Sequence, residues 1–168
     1  VIQDEPYFFE AWSRLADWNV LARDYAGYLE AAEMLVRLRP QYEVGYGYLG
    51  EARLLNDDRE GSRQAYQRAV ELNPAYEFAG NGLFDLQFED GDLAAATETM
   101  STLRTHSNSP FVTAREAQLA AKCDSEDEAC DALSRVALMP CDSPWPISAA
   151  VEALVDAGID AKAKRTGD

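Results

Sequence analysis

Pro6, Pro40 and Pro74 stand 34 residues apart, and so do Phe8, Tyr42 and Tyr76. Leu15, Leu49 and Leu83 form a third column with this spacing, and Asp24, Asp58 and Asp92 a fourth. Leu38 and Leu72 add a fifth over two copies. Several columns sharing one period restrict the fold to an array of small stacked units. Each unit reads as two helices. In the second, "YEVGYGYLGEARLL" precedes the polar turn "NDDREG", and "SRQAYQRAVEL" follows with Ala65, Tyr66, Ala69, Val70 and Leu72 at helical spacing. Pro74 closes the unit, since proline cannot continue a helix but opens the next one well. The aspartate column falls at the turn inside each pair, where a carboxylate is expected to accept hydrogen bonds from the free N–H groups of the second helix. A helix pair of this size cannot bury its apolar faces alone. The fold class expected is therefore all-α, a right-handed α-solenoid of antiparallel helix pairs.

The second unit carries Tyr46, Leu49, Gly50, Asp58, Tyr66, Ala69 and Pro74 in order, and in this it resembles the tetratricopeptide repeat family. The first unit has Trp12, Leu15, Ala16, Asp24 and Pro40, with Tyr28 and Ala32 in swapped small and large order. That swap conserves approximate volume and is expected to repack. The third keeps Leu83, "GDLAAA" and Met100, places Phe84 where a small residue is usual, and moves its proline to Pro110. Beyond Pro110 the columns fade, and a fourth, shorter helix pair and a capping helix are expected. The boundaries read are a repeat domain over 1–158, with units at about 7–40, 41–74, 75–109 and 110–140 and a cap helix at 144–157. Ser143 and Pro144 suit the start of that cap and Gly158 its end, and 159–168 reads as a frayed tail or linker. Pro6 stands where a unit's final proline stands, so the array is expected to continue upstream of Val1.

In this family the first helix of each pair lines the concave face. The resemblance thus implies a partner-binding set of Glu10, Ser13, Arg14 and Asp17, then Val44, Gly47, Tyr48 and Glu51, then Phe78, Asn81, Gly82 and Asp85. Asp17, Glu51 and Asp85 lie 34 residues apart, which gives an acidic stripe with one charge per unit. Peptide-binding members that clamp a chaperone's C-terminal carboxylate place Lys, Asn and Arg there, and only Asn81 and Arg14 match. A carboxylate would meet three like charges, so a chaperone-tail clamp is not expected. Gly45, Gly47, Gly50, Gly80 and Gly82 sit inside the expected helices, each at a cost of about 1 kcal/mol against alanine. Gly50 suits the close approach of its paired helix. Gly47 and Gly82, between Tyr48, Phe78 and Asn81, are expected either to leave a shallow aromatic-walled hollow or to relieve helix crowding.

Thirty acidic residues against fifteen basic ones give a net charge of −15, which repels a nucleic-acid backbone and either favours basic or apolar protein partners or serves only to keep the protein in solution. No run of eighteen apolar residues is present, so no membrane partner is expected. Cys123, Cys130 and Cys141 form no C-x-x-C pair, and His106 stands alone, so no metal site and no cofactor are expected. Cys123 and Cys130 can meet if two helices join at "DSEDEA", but small buried thiols in a reducing compartment are favoured, and with them the cytoplasm. The turn "NDDREG" is not a calcium loop, because its closing glutamate would fall on Gln67. Trp12 is expected in the core and Trp145 as the anchor of the cap helix. No catalytic motif is present, so no enzyme is expected within these residues. The function read is a protein–protein interaction scaffold that binds a peptide or protein in an acidic, aromatic-walled groove. Its alternatives are a regulatory or docking domain of a larger enzyme and a self-association module with homo-oligomers.

Overall fold

A computed structural model describes residues 6–123 and 125–159. Among these residues there are nine α-helices and no strand. The helices are α1 (Pro6–Leu21), α2 (Tyr25–Leu38), α3 (Glu43–Leu55), α4 (Arg59–Leu72), α5 (Glu77–Glu89), α6 (Leu93–His106), α7 (Pro110–Lys122), α8 (Glu126–Leu138) and α9 (Trp145–Asp156). The tail read at 159–168 lies, apart from Ile159, outside the described residues.

The aspartate column sets the turns. Asp24, Asp58 and Asp92 are the N-caps of α2, α4 and α6, and their Oδ1 atoms accept from the backbone N–H of Gly27, Gly61 and Ala95 at 3.0, 2.9 and 3.1 Å. Each cap satisfies an N–H that the helix itself cannot, a stabilisation of about 1 kcal/mol. The residue before each aspartate is left-handed: Arg23 at φ 59°, Asp57 at φ 62° and Gly91 at φ 75°. The aspartate N–H then reaches back to the carbonyls of Asn19, Arg53 and Gln87, each at 2.9 Å, and closes the preceding helix. Only the third turn uses glycine there. Arg23→Gly and Asp57→Gly are each expected to raise stability by about 0.5–1 kcal/mol, read as a higher urea midpoint at unchanged slope.

The chain divides into two compact units, 1–86 and 87–168, with the boundary inside α5. In the first unit, one cluster joins Ala16, Tyr28, Ala31, Ala32, Leu49 and Ala52, with Trp12 packed against it. A second joins Tyr66, Ala69, Ala79, Leu83 and Leu86, flanked by Tyr46 and Tyr76. Tyr28 and Ala32 are both buried, so the swapped pair is accommodated. The leucine column shows what each helix pair contributes to the next. Leu49 is 7% exposed and Leu83 2%, each buried among residues of the helix pair before it. Leu15 is 42% exposed, since no helix precedes α1 among the described residues.

In the second unit the core is built on alanine: Ala114, Ala117, Ala121, Ala129, Ala132 and Ala150, closed by Val136 and Leu154. Phe111 stacks on Trp145 at 5.9 Å, and the Arg115 guanidinium lies over the same indole at 4.6 Å. Trp145 therefore ties α9 to α7. Gly158, at φ 71°, ends α9 as its left-handed closing residue. The repeat step shortens here. The N–H that closes α7 belongs to Ser125 and reaches Ala120 at 2.8 Å, a spacing of 33 rather than 34 from Asp92. The leucine column accordingly lands on Glu116.

Candidate functional site

The acidic stripe is wired to tyrosines. The Tyr48 hydroxyl on α3 donates to Asp17 Oδ1 of α1 at 2.8 Å, and the Tyr28 hydroxyl on α2 donates to Glu51 Oε2 of α3 at 2.6 Å. The Tyr28 and Tyr48 rings meet edge to face at 6.2 Å, so Asp17, Tyr48, Tyr28 and Glu51 form one connected group. Tyr66 of α4 lies within the electrostatic reach of both Glu51 and Asp85. Its ring meets Phe78 of α5 at 6.3 Å, and Tyr76 meets Phe78 at 6.1 Å. Aromatic rings thus border the carboxylates of three successive first helices.

These tyrosines stay protonated. Burial, then the hydrogen bond to Glu51, holds Tyr28 far above the ordinary phenol value, and burial with the bond to Asp17 does the same for Tyr48. Burial and the charges of Glu51 and Asp85 raise Tyr66. Burial pushes Tyr76 up to about 12, with Glu43 the next cause. Each hydroxyl remains a donor at neutral pH.

Two buried side-chain oxygens on this unit, Ser62 Oγ and Asn81 Oδ1, are left without hydrogen-bond partners. Tyr66 is 3% exposed, and its hydroxyl makes no hydrogen bond among the described residues. A buried polar group left unpaired costs about 1–3 kcal/mol.

The other expected site residues fall into place unevenly. Glu10 and Arg14 are exposed and paired with each other at 3.1 Å, and Ser13 Oγ donates to the Glu10 carbonyl at 2.9 Å. That trio is a local arrangement along α1. Val44 is half-buried and Phe78 is exposed. The hollow expected at Gly47 and Gly82 is absent, and the alternative of relieved crowding holds. A Cβ on Gly47 would lie 2.7 Å from the Tyr76 ring, and one on Gly82 would lie 2.6 Å from the Tyr66 ring. Both spaces are already filled by aromatic carbon. Gly50 faces the opposite edge of Tyr66, where a Cβ would stand 2.5 Å away. Tyr28, Tyr66 and Tyr76 were not among the residues expected to bind. Their signal is a phenol where phenylalanine would pack as well, since a buried hydroxyl needs a partner.

A second polar cluster, unforeseen from the sequence, lies in the 87–168 unit. Glu116 on α7 is 9% exposed and sits between Arg104 of α6 and Arg135 of α8. Arg104 Nε pairs with its Oε1, and Arg135 Nη2 donates to its Oε2 at 2.8 Å. Arg135 Nε also reaches Asp131 at 3.1 Å. Beside the cluster a cavity of about 570 Å³ is lined by Thr97, Ser101, Arg104, Leu119 and Cys123. All three cysteines are free. Cys123 and Cys141 are exposed rather than buried, and only Cys130 packs against the alanine core. Among the described residues no helix is long and apolar enough to cross a membrane.

Helix pairs that repeat their caps, turns and leucines at one spacing define an α-helical repeat protein. No family model matches the chain. Among solved structures, TTC0263, a thermophilic tetratricopeptide-repeat protein of Thermus thermophilus, has a TM-score of 0.72 at 19% identity, over 88% of this chain and 81% of its own. The Cut9–Hcn1 hetero-tetramer of the anaphase-promoting complex has a TM-score of 0.71 at 15% identity, over 91% of this chain and 32% of that one. Anaphase-promoting complex subunit 3 of Schizosaccharomyces pombe is 27% identical over 82 residues, 49% of this chain. The chain spans 12% of that curated relative's length. The fold is that of the tetratricopeptide-repeat solenoids.

Proposed function

We propose that the chain is a protein–protein interaction module that takes a basic segment of a partner along the face bearing Asp17, Glu51 and Asp85. The observation that carries this reading is the run of carboxylates, one per helix pair, two of them, Asp17 and Glu51, held by tyrosine hydroxyls, with Phe78 exposed on the helix that bears the third. Such a face offers charge to a cation and an aromatic edge to its aliphatic stem. The scaffold carrying it is already packed, so little ordering opposes binding. The likeness to tetratricopeptide-repeat structures, one of them a hetero-tetramer, supports a binding role in general.

Peptide-array screening followed by titration tests this. Asp85→Lys and Tyr48→Ala are each expected to weaken recovered basic ligands by about tenfold or more, with the loss from Asp85→Lys shrinking as salt is raised. If both variants bind every recovered ligand as the unaltered protein does, the face is not the binding surface.

A further inference from the structure

We propose that α9 is the opening helix of a fifth helix pair rather than a cap, and that its exposed stripe of Ile147, Val151 and Val155 is the seat of the chain's own next segment, 160–168. The stripe residues are 41%, 41% and 67% exposed. Their register says what belongs on them. Ala16, Gly50, Phe84, Ala117 and Val151 form one column, with steps of 34, 34, 33 and 34. The first four are buried. Ala16 clusters with Tyr28 of α2, Gly50 lies against the Tyr66 ring of α4, and Ala117 clusters with Ala129 of α8. In these three pairs the second helix covers the first at this position. Val151 is the member of the column left open.

The end of α9 is that of a first helix. Gly158 is left-handed at φ 71°, as Arg23, Asp57 and Gly91 are after α1, α3 and α5. The Ile159 N–H then reaches the Leu154 carbonyl at 2.8 Å, just as Asp24, Asp58 and Asp92 reach Asn19, Arg53 and Gln87. The second helices α2, α4, α6 and α8 close differently, on Arg39, Asn73, Ser107 and Met139, all with negative φ. Gly158 and Ile159 therefore make the turn that, in the first three pairs, leads straight into a second helix. The segment that follows suits the seat. Tyr28, Ser62, Ala96 and Ala129 share one column of the second helices, and all four are buried. The same steps lead to Ala163. The segment also carries Lys162, Lys164 and Arg165, whereas α9 exposes Glu152 and Asp156, each one place past a stripe residue. Apolar cover for the stripe and opposite charge along its rim both favour this occupant.

The test is backbone hydrogen exchange, read by mass spectrometry, on the unaltered chain, a chain ended after Ile159, and the variants Ala163→Asp and Ala161→Asp. The two substitutions place the same charge two residues apart. Ala163 continues the buried column, whereas Ala161 continues the column of Ala26, Glu60, Ala94 and Asp127, all exposed. Ending the chain after Ile159 is expected to speed exchange in α9 about tenfold, and Ala163→Asp to do nearly the same, because a charge cannot sit against the stripe. Ala161→Asp is expected to leave α9 within about twofold of the unaltered chain. Exchange in α3 and α4, which belong to the other compact unit, checks that each protein is folded. Unchanged exchange in α9 after the truncation overturns the proposal. Equal effects of the two substitutions overturn the register that places Ala163 on the stripe. Protection of α9 that rises with protein concentration and survives the truncation assigns the stripe to a second copy, and overturns the proposal as well.

Discussion

Replacing both Arg104 and Arg135 with alanine is expected to cost about 3–5 kcal/mol of stability, whereas Glu116→Leu should change it by no more than about 1 kcal/mol in either direction. The asymmetry follows from the position. Glu116 is 9% exposed, so the double variant would leave a carboxylate without its cations in an alanine-built interior. The two arginines are far more exposed, with side chains at 57% and 37%, and can return to water when the glutamate goes. Leucine also belongs there by register, because the column of Leu15, Leu49 and Leu83 lands on this position once the step shortens to 33. Either single arginine variant should fall between, since one guanidinium still holds one oxygen. Urea denaturation followed by circular dichroism measures all four. A Glu116→Leu protein as unstable as the double variant would mean that the ion cluster itself holds α6, α7 and α8 together.

Tyr66→Ala is expected to be the most damaging single change, at about 3–5 kcal/mol, while Tyr66→Phe should cost less than about 1 kcal/mol. The ring is buried in the core with Ala69, Leu83 and Leu86, and it touches the backbone of two glycines. Truncation leaves a void that rigid helix backbone cannot close. The hydroxyl, by contrast, makes no hydrogen bond among the described residues, so its loss removes no partner. The same denaturation series separates the two. Comparable losses in both variants would show that the hydroxyl is satisfied after all.

The period was legible because every helix pair meets the same physical problem with the same residues. Asp24, Asp58 and Asp92 could be placed at turns from spacing alone, and they cap as expected. Trp12 and Trp145 were also placed correctly, one against the core and one tying down the last helix. What spacing cannot say is which side chain arrives from another element. Gly47 and Gly82 read equally as a hollow or as relief of crowding, and only the positions of Tyr76 and Tyr66 show that the space is filled. Tyr28 and Tyr66 read as packing, and their rings do pack. Only the contacts of their hydroxyls show that they also border the acidic stripe. Glu116 escaped because counting in steps of 34 from Leu83 reaches Ala117, one residue too far. A one-residue contraction at a loop leaves no mark in composition.

The placement of Tyr66 also fixes grammar. One edge of its ring lies against Gly50, within the same helix pair, and the other lies against Gly82 in the following helix. Any larger residue at either site would collide with it. The second repeat can therefore be followed only by a repeat with glycine at the position of Gly82, and the first repeat, with Arg14 in that column, cannot take that place. These modules are not interchangeable beads. Duplicating the second repeat, deleting the third or exchanging their order would put the wrong neighbour on Tyr66, so their sequence along the chain is itself part of the folded design.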